Sequence, residues 1–437
     1  MRFKVCLLAV VPLLLLAAAC SAQLDDAITA HRTGKYDDAI AIYRRALAAE
    51  PASLAARKGL ARALADIGKY ADAEGVLREA PATIAPSVAT ALGDVQRAQG
   101  KLADAETAYR AGLRSADSLT AKLNLAILAY RRGEKSAALD VFDTYIDVYN
   151  RGADRLTAEE IVAVGTAVRY LGERDPQLFK DALNAYDEAA AKDPNNEDAR
   201  LLAGELFLEK YRGDEAEKTF QAALQQNPRN PRALVDLARS REFDGSAEAV
   251  ELARKALEVN PNLVDAHLLL ARNSLGVENR ESARQQAEQA LAADPSSLEA
   301  LSLLAAAHHF ADDRASFDAV AARIRALNPR YAELYTTLAD ISVQTRRYAP
   351  AVEFARRAIA LDSTAWRAHG VLGINLMRLG AIAEGRASLE LAFRGDPYNA
   401  WFKNTLDLLD TFSGYRTVRT PHYELFLRQD EADLLEP

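Results

Sequence analysis

The residues of this 437-residue chain best suited to metal binding or nucleophilic chemistry are its histidines and cysteines. There are six of the first, His31, His267, His308, His309, His369 and His422, and two of the second, Cys6 and Cys20. Their spacing supports neither chemistry. No His-Glu-x-x-His occurs, the pattern by which one helix face offers two zinc ligands beside a general base. His308 and His309 are adjacent, so on a helix they point about 100° apart and cannot act as an i, i+4 metal pair. Packing or a surface position is the expectation for both, and packing for His369. The chain has no glycine-rich phosphate loop, no G-x-S-x-G elbow and no paired-cysteine motif. Acidic pairs such as Asp37-Asp38 and Glu159-Glu160 read as solvated helix faces. No catalytic residue, metal or cofactor is expected.

Binding is the remaining class of function. The formal charge is −8, from 54 basic and 62 acidic residues. An acidic chain argues against a nucleic-acid partner, which calls for a basic stripe. At the start, Arg2 and Lys4 precede an apolar run from Val5 to Ala19, broken only by Pro12. That run is short of the about 20 residues a membrane span needs and suits a secretory signal. Leu16-Ala17-Ala18-Ala19-Cys20 resembles a bacterial lipoprotein box, with Ala17 standing where leucine is preferred. The resemblance implies lipidation at Cys20 and, through Ser21, sorting to the outer membrane. Ordinary cleavage near Ala22 is the alternative. With Cys6 in the leader, an intrachain disulfide has no second partner. Packing alone must then stabilise the fold.

The elements that must position any ligand follow from self-similarity. In Tyr36–Pro51 an alanine, an aromatic four residues later, a small residue three later and a proline five later read Ala39, Tyr43, Ala46 and Pro51. The pattern returns as Ala182/Tyr186/Ala189/Pro194, Ala216/Phe220/Ala223/Pro228, Ala249/Ala253/Ala256/Pro261 and Ala283/Ala287/Ala290/Pro295. Weaker copies fill most of the remainder. Each unit holds two amphipathic stretches with helical spacing, and small residues at fixed places let helix axes approach. Prolines follow Asn or Asp, as in Asn227-Pro228 and Asp294-Pro295, which ends helices. Units this small cannot bury their apolar faces alone and must stack.

The period near 34 residues resembles the tetratricopeptide repeat, as do the Leu92-Gly93 and Leu372-Gly373 pairs and the expected turn glycines Gly34, Gly68, Gly100, Gly133 and Gly380. The resemblance covers about eleven units, from Gln23 to Pro397. It implies an all-α solenoid, coiled as a right-handed superhelix with first helices lining the concave side. It also implies a protein or peptide ligand. Carried over unit by unit, the ligand-facing positions are Glu205, Glu209, Arg241, Glu242, Arg272, His309, Asp340 and Arg378. These charges either contact a ligand or only keep the groove soluble.

The expected organisation is a signal peptide over 1–19, a first repeat array over 20–145 and a second over 146–397. The second opens with a longer unit at 146–194, where Thr157-x-x-Glu160 reads as a capping box and Gly172 to Gln177 as an inserted loop. A capping helix follows at 398–414, with Phe402, Leu406, Leu409 and Phe412 on one face. Residues 415–437 read as a short strand with no partner, alternating Tyr423, Leu425 and Leu427 with Glu424, Phe426 and Arg428, then a helix capped by Asp430. This strand-plus-helix stub resembles the opening of a peptidase MA-like (gluzincin) domain. It implies an alternative role, the N-terminal arm of a zinc metallopeptidase whose catalytic domain lies beyond residue 437.

Overall fold

A computed structural model of the chain describes residues 23–242 and 247–430. The leader with its cysteines and the helix expected after Asp430 lie outside those residues. The described chain divides into two compact units, one holding residues up to Gly172 together with Gln177–Tyr331, the other Glu173–Pro176 and Ala332 onward.

The first unit is a run of helix pairs. α1 (23–32) pairs with α2 (Tyr36–Ala49), α3 (Leu54–Asp66) with α4 (Tyr70–Arg78), and α5 (Ala85–Ala98) with α6 (Leu102–Gly112). Next come α7 (Ser118–Arg131) with α8 (Lys135–Gly152), and α9 (Ala158–Leu171) with α10 (Leu178–Lys192). They are followed by α11 (Glu197–Glu209) with α12 (Gly213–Gln226), and α13 (Pro231–Glu242) with α14 (Ala247–Val259). The last two pairs are α15 (Val264–Gly276) with α16 (Arg280–Ala293) and α17 (Leu298–Phe310) with α18 (Arg314–Leu327). First helices also touch the next first helix, α3 on α5, α7 on α9 and α13 on α15, so they form one layer of the stack.

The repeat signature is the packing code. Ala39, Tyr43 and Ala46 are buried, as are Ala182, Tyr186 and Ala189. In two pairs a glycine of the first helix makes room for a ring of the second: a Cβ on Gly93 would run into Tyr109, and one on Gly204 into Phe220. One unit later, at the positions equivalent to Gly204 and Phe220, Ala238 and Ala253 are both fully buried. Thr157 makes the capping box: its Oγ1 accepts from the Glu160 amide at 3.2 Å, and Glu160 Oε2 accepts from the Thr157 amide at 2.8 Å. The expected array boundary at 145/146 falls within α8.

All five expected turn glycines have left-handed backbone, with φ from 68° to 90°. Tyr211, Glu278, Asp312 and Arg346 occupy the corresponding turns with φ of 57–63°, a conformation that costs a side chain about 1–2 kcal/mol.

The second unit contains α19 (Glu333–Gln344), α20 (Tyr348–Leu361), α21 (Trp366–Arg378), α22 (Ile382–Gly395) and α23 (Ala400–Thr411). Asn399 caps α23, its Oδ1 accepting from the amides of Trp401 and Phe402. Phe402 and Leu409 of α23 are buried and Leu406 packs beside them, while Phe412 and Trp401 stay exposed. The tail strand does have a partner, contrary to the sequence reading. β1 (Tyr415–Arg419) pairs antiparallel with β2 (Glu424–Arg428), Thr417 opposite Phe426 and Val418 opposite Leu425. The Tyr-Arg-Thr-Val-Arg segment is short and interrupted by arginines, so its alternation gives a weak strand signal.

Candidate binding surface

Charged residues recur at the second position of successive first helices in the first unit: Asp198 in α11, Arg232 in α13, Asp265 in α15 and Glu299 in α17. Their neighbours pair across helices. Arg232 reaches Asp198 at 3.2 Å and Glu205 at 2.6 Å, and Arg239 reaches Asp265 at 2.7 Å. Arg169, on α9, holds Glu205 at 3.3 Å and Glu209 at 2.7 Å. Arg62, on α3, meets Asp198 at 2.9 Å. The row remains open to water: Asp198 is 41% and Asp265 53% exposed.

This network sets the protonation of its acids. Burial pushes the Glu205 carboxyl up, but Arg232 and Arg169 outweigh it and hold the group below its ordinary range. Glu209 behaves likewise, burial being overcome by Arg169 and Lys210. In Asp198, burial yields to Arg62 and Arg232. Asp236, behind the row on α13, is the exception. Its burial raises the carboxyl to about 7, and the nearby Glu205 adds to the rise. Arg239 lies 3.3 Å from Asp236 Oδ1 and Arg232 3.9 Å from Oδ2, contacts too few to offset the buried charge.

The expected ligand-facing residues have different surroundings. Glu205 and Glu209 lie in the network just described. Arg241 instead pairs with Glu217 of α12 at 2.5 Å and approaches Glu248 of α14 at 3.8 Å, on the second-helix side. Glu242 and Arg272 face one another at 3.8 Å. His309 packs against the rings of Phe310 and Phe317 at 5.1 and 5.6 Å. In the second unit Asp340 pairs with Arg367, which also stands 3.8 Å from Glu333. Arg378 lies over the Tyr348 ring at 4.8 Å and donates to Asn375 Oδ1. The sequence reading missed Arg169, Arg232, Arg239 and Asp236. The signal available for Arg232 was its place 34 residues after Asp198, at the same point of the next first helix.

His267 and His369 are held by their surroundings. His267 Nδ1 lies 2.8 Å from Gln286 Oε1 and its Nε2 3.0 Å from the Pro261 carbonyl. His369 is buried, with Nε2 3.1 Å from the Ser363 carbonyl. Among the described residues no group of His, Cys, Asp or Glu is arranged to hold a metal ion. Among the same residues, no helix is long and apolar enough to cross a membrane.

Profiles described as tetratricopeptide repeat match residues 30–94 and 177–234, 90–153, and 332–364. The chain is 31% identical over 180 residues to the Protein CTR9 homolog of Arabidopsis thaliana, a match covering 38% of this chain and 16% of that protein. The chain therefore spans a small part of that relative's length. Among solved structures it is similar to yeast Tom70, with 15% identity, 91% of this chain and 89% of that chain covered, and a TM-score of 0.41. It is also similar to a tetratricopeptide repeat protein from Parabacteroides merdae, with 16% identity, 61% and 98% covered, and a TM-score of 0.38. The matched spans are interleaved with helix pairs of similar period whose repeat positions, among them Ala249, Ala253 and Ala256, are buried: the fold is a tetratricopeptide-type helical-repeat solenoid.

Proposed function

We propose that the chain is a non-catalytic protein-interaction scaffold of the bacterial cell envelope that holds a peptide or protein along the face lined by its first helices. The observation that carries this reading is the row Asp198, Arg232, Asp265 and Glu299. It places charges of both signs at one register of successive helices and leaves them open to water. A segment carrying charges of both signs complements such a row, and electrostatic complementarity mainly sets register and partner choice. The test is crosslinking in envelope fractions with Asp265→Arg and Arg272→Glu, checked for helicity by circular dichroism. Loss of the recovered partner in folded variants supports the reading, and full retention removes it.

The leader supports export with lipid anchoring at Cys20 to the outer membrane. Cys20→Ala is expected to release the protein from membranes, and unchanged membrane association ends that part of the proposal.

A second reading is the arm of a zinc metallopeptidase. It draws on the β1–β2 hairpin, whose Tyr423, Leu425 and Phe426 are exposed apolar residues. Genomic DNA past codon 437 decides it. An in-frame His-Glu-x-x-His sustains this reading, and a stop codon there ends it.

A further inference from the structure

The first unit touches itself along a seam. The left-handed turn of each of its first four helix pairs meets a loop that lies about 194 residues further along the chain. Gly34 meets Asn227, Gly68 meets Asn260, Gly100 meets Asp294 and Gly133 meets Asn328. The four contacts share one design. The Oδ1 of each Asn or Asp accepts from the amide two residues on: Arg229 at 3.1 Å, Asn262 at 3.0 Å, Ser296 at 2.8 Å and Arg330 at 2.9 Å. That oxygen then sits where a Cβ on the glycine would be, well under 3.0 Å in every case. Side chains tie the two sides together. Asn227 Nδ2 donates to Tyr36 Oη at 3.1 Å and Arg229 Nη1 to the Gly34 carbonyl at 3.2 Å. Asn260 Nδ2 donates to Tyr70 Oη at 3.1 Å, Asn262 Nδ2 to the Gly68 carbonyl at 3.0 Å, and Asn328 Nδ2 to the Arg131 carbonyl at 3.0 Å. Arg62–Asp198 and Arg131–Glu299 add ion pairs between distant helices of the same unit.

Residue choice follows the seam. The glycine turns that meet a loop have both a positive φ and no room for a Cβ. At later turns the glycine requirement relaxes. Tyr211, Glu278, Asp312 and Arg346 take the same backbone conformation with side chains present, and a Cβ on Gly380 would have nothing within 4 Å of it. Left-handed backbone alone therefore does not demand glycine here; the close approach across the seam does.

We infer that the first unit is a coil latched shut along this seam, a cooperative zipper of Asn/Asp-on-glycine rungs that fixes the pitch at which the first-helix row is presented. Adjacent rungs lie on consecutive helix pairs that are rigidly packed, so parting one rung tilts the next pair and strains its rung. The latch stands independently of whether a ligand binds the row.

The experiment uses the full chain with Asn260→Ala/Asn262→Ala, compared with wild type by small-angle X-ray scattering and by hydrogen exchange read by mass spectrometry. The expected result is a larger maximum dimension with unchanged helicity. Exchange is expected to be about tenfold faster not only around Gly68 but also at the Gly100 and Gly133 turns, as a cooperative unit demands. Asn260→Asp gives a milder cut, because it keeps the Oδ1 turn, as Asp294 does naturally, and removes only the Nδ2 donor. It is expected to give a smaller change in the same direction, and it replaces the double variant if that one does not fold. Unchanged dimensions, with faster exchange confined to residues touching the replaced asparagines, overturn the latch.

Discussion

Asn262 Nδ2 donates to the Gly68 carbonyl at 3.0 Å across 194 residues of sequence, and beside it Asn260 Oδ1 fills the space a Gly68 side chain would need. Gly68→Ala therefore has two costs. The left-handed backbone alone costs about 1–2 kcal/mol, and the clash adds to it. Gly380, with φ of 87° and open space around it, has only the first cost. In urea unfolding, Gly68→Ala is expected to lose clearly more stability than Gly380→Ala. Equal losses would show that the seam contributes nothing at Gly68.

The reverse substitution applies at the uncovered turns. Arg346 holds φ of 60°, so Arg346→Gly relieves strain and is expected to add about 1 kcal/mol. A lower melting temperature for this variant would contradict the strain argument.

Asp236 supplies a pH dependence. Its carboxyl, 3.8 ordinarily, is raised to about 7 by burial and by Glu205. The folded state thus holds this proton more tightly than the unfolded chain. The group's contribution to stability declines as pH rises from near 3.8 to about 7 and is flat above. Glu205, Glu209 and Asp198 are shifted down and act oppositely, but only as pH falls through the ordinary carboxylate range and below. Asp236→Asn is therefore expected to reduce the loss in melting temperature between about pH 5 and about pH 8. An identical loss in both proteins would assign the dependence elsewhere.

Glu205 is shared by Arg169 and Arg232. Glu205→Ala leaves two partly covered guanidinium groups without this partner and is expected to cost about 1–2 kcal/mol, discounted for solvent. A double-mutant cycle with Arg232→Ala is expected to return a coupling of about 1 kcal/mol. Strict additivity would remove the pair from the account of stability. The cycle also matters for any binding assay, since charge reversal at Glu205 disturbs the scaffold itself.

The amino-acid sequence by itself determined what depends on neighbours a few residues apart. The helix pairs follow from apolar spacing, the Thr157 capping box from a four-residue pattern, and five of the left-handed turns from the glycines that mark them. The buried Ala39/Tyr43/Ala46 code was legible for the same reason. Only the tertiary structure decided which charges meet. Arg241 turns to Glu217 on the second-helix side, whereas Arg169, which carried no signal of its own, grips both Glu205 and Glu209. It also decided that β2 pairs with the arginine-rich β1 and that Gly68 lies under Asn260. These relations depend on side-chain reach between helices and on the pitch of a coil. Pitch is the sum of small rotations over several helix pairs, and no short stretch of sequence states that sum.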